Sequence, residues 1–110
     1  MSSILCEFQD KDFNEFLKSK ENGLALFSAP WCNACKVVTP IIEKIAQSNK
    51  KIKFIKIDVS KSPGLASRMG VMSLPNILLI SKGKVAGQLI GTTTQKAIET
   101  KLKQTLERAM

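Results

Sequence analysis

The chain has 110 residues and a mass of 12.1 kDa, with 44% hydrophobic and 24% charged residues, 6 Gly and 4 Pro. That composition predicts one globular domain over residues 1–110 and excludes a multidomain machine, a collagen and a disordered tail. No His and no Tyr are present, which removes imidazole bases, histidine metal ligands and tyrosyl acids, while a net charge of +8 leaves acidic partners open.

In chain order, Ser3 to Glu7 reads as a short strand, and Asp10 as the cap of a helix that carries Phe13, Phe16 and Leu17 at core-facing spacing. Glu21-Asn22-Gly23 is expected to turn the chain into Leu24-Ala25-Leu26-Phe27. That continuous apolar run is expected of a central strand buried on both faces. From about Cys32 to Asn49, Val38, Ile41, Ile42, Ile45 and Ala46 recur at helical spacing, with Pro40 expected to bend the helix without ending it. Ile52 to Val59 is β-rich. Ser62 then caps a short helix with Pro63 at its first position, and Gly70 closes it. Asn76 to Ser81 and Lys84 to Ile90 flank Lys82-Gly83 as a hairpin. Thr92 to Gln95 fits a capping box ahead of a last helix whose apolar stripe is Ile98, Leu102 and Leu106. The predicted order is βαβαβαββα, an α/β fold with parallel strands first and an antiparallel edge at the end.

The positive excess is densest from Lys44 to Arg68, where seven Lys and Arg face only Asp58. Aromatic residues are scarce there, so the stretch reads as a solvated face rather than a platform for nucleic acid bases. The chain opens without Lys or Arg, and its longest early apolar run, Ile4-Leu5-Cys6, is too short for a signal-peptide core or a membrane span. A cytosolic protein with no membrane contact is therefore expected. In a reducing compartment a close cysteine pair points to catalysis or metal binding, which makes Cys32-Asn33-Ala34-Cys35 the feature to explain.

A thiol at a helix N-terminus meets unpaired N–H groups and the positive end of the helix dipole, which favour thiolate. Cys32 has that place, and Cys35 lies three residues on, within reach of a mixed disulfide formed at Cys32. Cys32 is thus the expected nucleophile and Cys35 the resolving thiol. A zinc site would need further ligands that one chain without His supplies only by dimerisation or through Cys6. Cys6, in the first predicted strand, reads as inert core.

The segment Phe27-Ser28-Ala29-Pro30-Trp31-Cys32-Asn33-Ala34-Cys35-Lys36 resembles the active-site segment of the thioredoxin family. Pro40, Ile57-Asp58, Pro63-Gly64, Val71-Met72-Ser73-Leu74-Pro75, Lys82-Gly83 and Gly91 extend the likeness over nearly the whole chain. The resemblance implies a thioredoxin fold, a central mixed sheet with helices on both faces, and a protein disulfide reductase cycling between the Cys32/Cys35 dithiol and disulfide. It implies a cis Leu74-Pro75 bond and a substrate surface of Trp31, Asn33, Ala34, Ser73, Leu74, Pro75 and Gly91, with Thr92 at its edge. Exposed backbone at Ser73 and Leu74 would pair with an extended substrate segment. It further implies no bound cofactor, NADPH used only through a thioredoxin reductase, and acceptors of the peroxiredoxin or sulfoxide-reductase type. A monomer is expected.

Two departures stand out. Many thioredoxins carry a buried Asp partnered by a Lys behind the cysteines, at positions matched here to Leu26 and Phe54. The family's commonest central dipeptide, Gly-Pro, is replaced by Asn33-Ala34, and because these residues set the relative stability of dithiol and disulfide a less reducing potential is expected. Asp58, at a strand end, reads as a turn or capping residue rather than the missing acid, and Lys36 and Lys84 as surface charge. Two alternatives remain: a binding module whose groove holds a partner, and an isomerase-like or oxidising variant.

Overall fold

The computed structural model describes residues 5–107. Its elements are β1 (Cys6–Glu7), α1 (Asp10–Lys18), β2 (Gly23–Ser28), α2 (Asn33–Ser48), β3 (Lys53–Asp58), α3 (Pro63–Arg68), β4 (Asn76–Ser81), β5 (Lys84–Ile90) and α4 (Gln95–Leu102), which runs on into a π-helical turn, Lys103–Glu107. This is the predicted order of elements. The strands form one mixed sheet in the order β1-β3-β2-β4-β5. β1 and β2 each pair parallel to β3, β4 pairs antiparallel to β2, and β5 antiparallel to β4. β2 is central as expected, and all six of its residues are buried.

The alternation of side chains along the strands divides the core in two. On one face Leu24, Leu26, Phe54, Ile77 and Leu79 pack against Val38, Ile42 and Ile45 of α2 and Ile98 and Leu102 of α4. Leu106, the last residue of the predicted stripe, joins them. On the other face Ala25, Phe27, Ile55, Ile57, Leu78 and Ile80 pack against Phe13 and Phe16 of α1 and Leu65 and Ala66 of α3. Helix α2 stays continuous through Pro40.

Several local expectations are corrected. Of the strand predicted from Ser3 to Glu7, Ser3 and Ile4 lie outside the described residues, and Leu5 is buried just ahead of β1. Helix α1 is capped by Gln9, whose N–H donates to the Asp12 carboxylate at 3.0 Å; Asp10 is its first helical residue. Gly23 is the first residue of β2, not part of a turn. A Cβ there would stand 2.6 Å from the Phe16 ring and 2.8 Å from the Lys53 carbonyl oxygen, so the close approach of strand and helix requires glycine. Ser62 holds the cap position before Pro63, but its hydroxyl makes no cap hydrogen bond. Helix α4 is capped by Thr94, whose side chain accepts from the Ala97 N–H at 3.1 Å, rather than by Thr92. The hairpin falls where predicted, with Lys82 and Gly83 both left-handed at φ 52° and 82°, the twist that suits a two-residue turn.

Candidate active site

Parallel β2 and β3 end at Ser28 and Asp58, and antiparallel β4 begins at Asn76, opposite Phe27. The C-terminal ends of two strands, the β2–α2 loop, the loop before β4 and the end of β5 therefore share one end of the sheet. Cys32 is the N-cap of α2, which begins at Asn33, one position later than expected. The Cys35 N–H donates to the Cys32 sulfur at 3.1 Å, so one of the otherwise unpaired N–H groups of the first turn is satisfied by that sulfur. Cys32 and Cys35 are joined by a disulfide with Cα atoms 5.3 Å apart. Their surroundings differ: Cys32 is partly exposed, whereas Cys35 is only 2% exposed.

The remaining predicted site residues are distributed unevenly. Trp31 is 68% exposed next to Cys32, and Asn33 is exposed while Ala34 is half-buried in the first turn of α2. Leu74-Pro75 is cis, as the resemblance implied. Ser73 is exposed, Leu74 and Gly91 are half-buried, and Pro75 is buried. Buried Asn76 donates to the Ser73 carbonyl at 3.4 Å and accepts from Gln88 at 3.0 Å, and the Gly91 N–H donates to the Pro75 carbonyl at 2.8 Å. These bonds tie the cis-proline loop to the hairpin. The Leu74 N–H and C=O make no hydrogen bond among the described residues.

Sequence reasoning missed Met72, which is 96% exposed, and exposed Ile90 at the end of β5. Met72 lies in a loop, where the exposure of an apolar residue leaves no periodic signal to read.

Behind the cysteines the strand pairing fixes which side chains are neighbours. Leu26 is paired with Lys56, and Leu24 with Phe54, so the residue beside Leu26 on β3 is a lysine. Glu7 is paired with Lys56 in turn, and Ser28 with Asp58. A cavity of about 180 Å³ is lined by Glu7, Ser28, Lys56 and Asp58 from the strands and by Cys35 and Lys36 from α2. Asp58 is the last residue of β3, and its Oδ1 caps the turn that follows by accepting the Ser60 N–H at 2.9 Å and the Ser60 hydroxyl at 2.6 Å. Lys36 and Lys84 are exposed. Cys6 is a free cysteine and half-buried rather than part of the core. Among the described residues no group of three or more Cys, Asp or Glu side chains is placed to hold a metal ion, and no helix is long and apolar enough to cross a membrane.

A mixed sheet with a Cys-x-x-Cys pair at the N-terminus of the helix leaving its central strand defines a class consistent with thiol–disulfide oxidoreductases. The thioredoxin family model matches residues 4–104, so the chain belongs to the thioredoxin family. It is 33% identical over 108 residues to thioredoxin 1 of Nostoc sp., covering 96% of this chain and 97% of that protein. Oxidised mitochondrial thioredoxin 3 from Saccharomyces cerevisiae superposes with a TM-score of 0.85 at 28% identity, over 94% of this chain and 99% of that one. A chain from a structure of the thiol-resolving mechanism of yeast mitochondrial 1-Cys peroxiredoxin, through the glutathione and thioredoxin systems, gives the same score at 27% identity, again over 94% and 99%.

Proposed function

We propose that residues 1–110 form one domain that reduces protein disulfides, with Cys32 as the attacking thiolate and Cys35 as the resolving thiol. The observation that carries this reading is the unequal exposure of the pair at a helix N-terminus: Cys32 is accessible and accepts an N–H, while Cys35 is buried beneath it. An accessible thiolate meets the substrate, and a buried partner reacts only with what is already attached to Cys32. Cys32 attacks the substrate disulfide, one substrate sulfur leaves, and Cys35 displaces the other to close the Cys32–Cys35 bond. Two electrons pass from the dithiol to the substrate.

Substrate contact falls to Trp31, Asn33, Ala34, Ser73, Leu74 and Gly91, with buried Pro75 shaping the loop. The free N–H and C=O of Leu74 support pairing with an extended segment of the substrate. The dithiol needs no bound cofactor; electrons reach it from NADPH through a thioredoxin reductase in the cytosol, where a reducing poise keeps the pair as thiols. Peroxiredoxin-type and sulfoxide-reductase-type enzymes are the acceptors we favour. The yeast structure that addresses peroxiredoxin resolution supports the first.

The test is the reduction potential of the Cys32/Cys35 couple, measured in thiol/disulfide buffers with Cys6 replaced by Ser. With Asn33-Ala34 between the cysteines, a value above the thioredoxin figure of about −270 mV but well below about −180 mV is expected for a reductant. A couple at about −180 mV or higher gives an isomerase-like or oxidising protein instead, and the absence of a reversible couple leaves a binding module.

A further inference from the structure

Closure of the Cys32–Cys35 bond requires Cys35 to lose a proton, because the thiolate and not the thiol is the nucleophile. Cys35 is 2% exposed, and the 180 Å³ cavity behind it brings it together with four charged side chains, Glu7, Lys36, Lys56 and Asp58. A cavity of that size holds more than one water, for which about 15 Å³ each suffices on this measure. We propose that Asp58 is the proton acceptor for Cys35 in the resolving step, reached through water in this cavity.

The strand registers select it. Lysines donate and do not accept when charged, which removes Lys36 and Lys56. Of the two carboxylates, Glu7 is exposed and lies 3.5 Å from the Lys61 ammonium. Asp58 is half-buried, and its Oδ1 is held by Ser60 at 2.9 and 2.6 Å. Its Oδ2 has no hydrogen-bond partner among the described residues, so the carboxylate is anchored on one oxygen and available on the other. Phe54 packs under α2 while Ile55 and Ile57 pack under α1 and α3, so Lys56 and Asp58 share the face that α2 covers. Lys56 adds a positive charge to the same cavity, which favours thiolate at Cys35.

In the mixed disulfide between Cys32 and a substrate, the Cys35 thiol gives its proton by way of water to Asp58. The thiolate then attacks the Cys32 sulfur. The Cys32–Cys35 bond forms, the Cys32–substrate bond breaks, and the substrate leaves as a thiolate with the electron pair. Asp58 returns the proton through the same water to the departing thiolate or to solvent, so protons and electrons balance.

This inference rests on the dithiol reading above, and the experiment separates the two. Reaction of the reduced protein with 5,5′-dithiobis(2-nitrobenzoate), in a Cys6→Ser background, releases one coloured thiolate when Cys32 attacks and a second when Cys35 resolves. In D58N the first release stays within about twofold of the parent, while the second slows about tenfold or more near pH 7, in the range of general base effects. The deficit shrinks as hydroxide takes over above about pH 9, past the ordinary thiol range. D58E restores most of the rate, and E7Q leaves it unchanged. If D58N does not fold, D58S, which keeps a hydroxyl acceptor for Ser60, carries the same expectation. A second release in the Asp58 variants within about twofold of the parent at every pH overturns the proposal, as does a loss that follows E7Q. No second release in the parent itself overturns the dithiol reading, and the proposal with it.

Discussion

The two faces of β3 make unlike demands on one short sequence, Lys53-Phe54-Ile55-Lys56-Ile57-Asp58. Toward α1 and α3 the strand presents Ile55 and Ile57, both fully buried among Phe13, Phe16, Phe27 and Leu65. Toward α2 it presents Phe54, then half-buried Lys56, then half-buried Asp58. The neighbouring strand follows the same gradient, from Leu24 and Leu26 to buried Ser28. One face is apolar to its end and holds the sheet on its helices. The other changes from apolar to ionisable within two residues, at the level where the first turn of α2 carries Cys35. The difference teaches that stability and chemistry are separated by strand alternation, so substitutions one residue apart are expected to act on different properties.

The largest stability effect belongs to the apolar face. Ile57→Ala removes a fully buried side chain and is expected to cost about 2–5 kcal/mol by denaturant unfolding, through lost transfer energy and the cavity left behind. The rates of both thiolate releases should stay within about twofold of the parent wherever the variant is folded. A large rate change at retained stability breaks the separation of the two faces.

Next comes the turn that backs α1. Gly83 has φ 82°, and a Cβ there would run into the Leu17 carbonyl at the end of that helix. Gly83→Ala is expected to cost about 2 kcal/mol from the left-handed backbone alone, seen as a lowered denaturation midpoint with unchanged slope. Thr94→Ala follows on the α4 side: loss of the side-chain bond to the Ala97 N–H is expected to cost about 1 kcal/mol. Thr92→Ala should cost less than half of that, since the cap is at Thr94.

The fold was legible because its signals are periodic or chemical. Continuous apolarity from Leu24 to Phe27 identified the central strand, and Lys82-Gly83 located the hairpin to the residue. Caps shifted where two neighbouring residues could serve: Thr92 and Thr94 differ only in which hydroxyl meets the helix, and that depends on how the chain leaves Gly91. The two cysteines were legible as a pair, but their unequal burial was not, because it depends on strand ends that approach from elsewhere in the sequence. Which residue of β3 stands beside Leu26 was not legible for a related reason. Strand register has a two-residue period, so Phe54 and Lys56 lie on the same face, and only the pairing of Leu26 with Lys56 distinguishes them.

That pairing supplies the smallest effect and the sharpest comparison. Lys56 is half-buried beside Leu26 and lines the cavity with Cys35, whereas Ile57, the next residue, has no contact with solvent. Lys56→Met keeps the aliphatic stem that packs along the strand and removes the charge. Stability is expected to change by less than about 1 kcal/mol, because no ion pair to Lys56 exists among the described residues and isolated surface-side charges contribute little. The second thiolate release is expected to slow about two- to threefold near neutral pH, because a nearby cation favours the charged form of a thiol and its removal leaves less thiolate at Cys35. Since the effect acts through the thiolate fraction, it should vanish at high pH, where the thiol is ionised in both proteins. A slowing that persists at high pH would make Lys56 a packing residue and move the boundary between the two functions of β3 from residue 56 to residue 58.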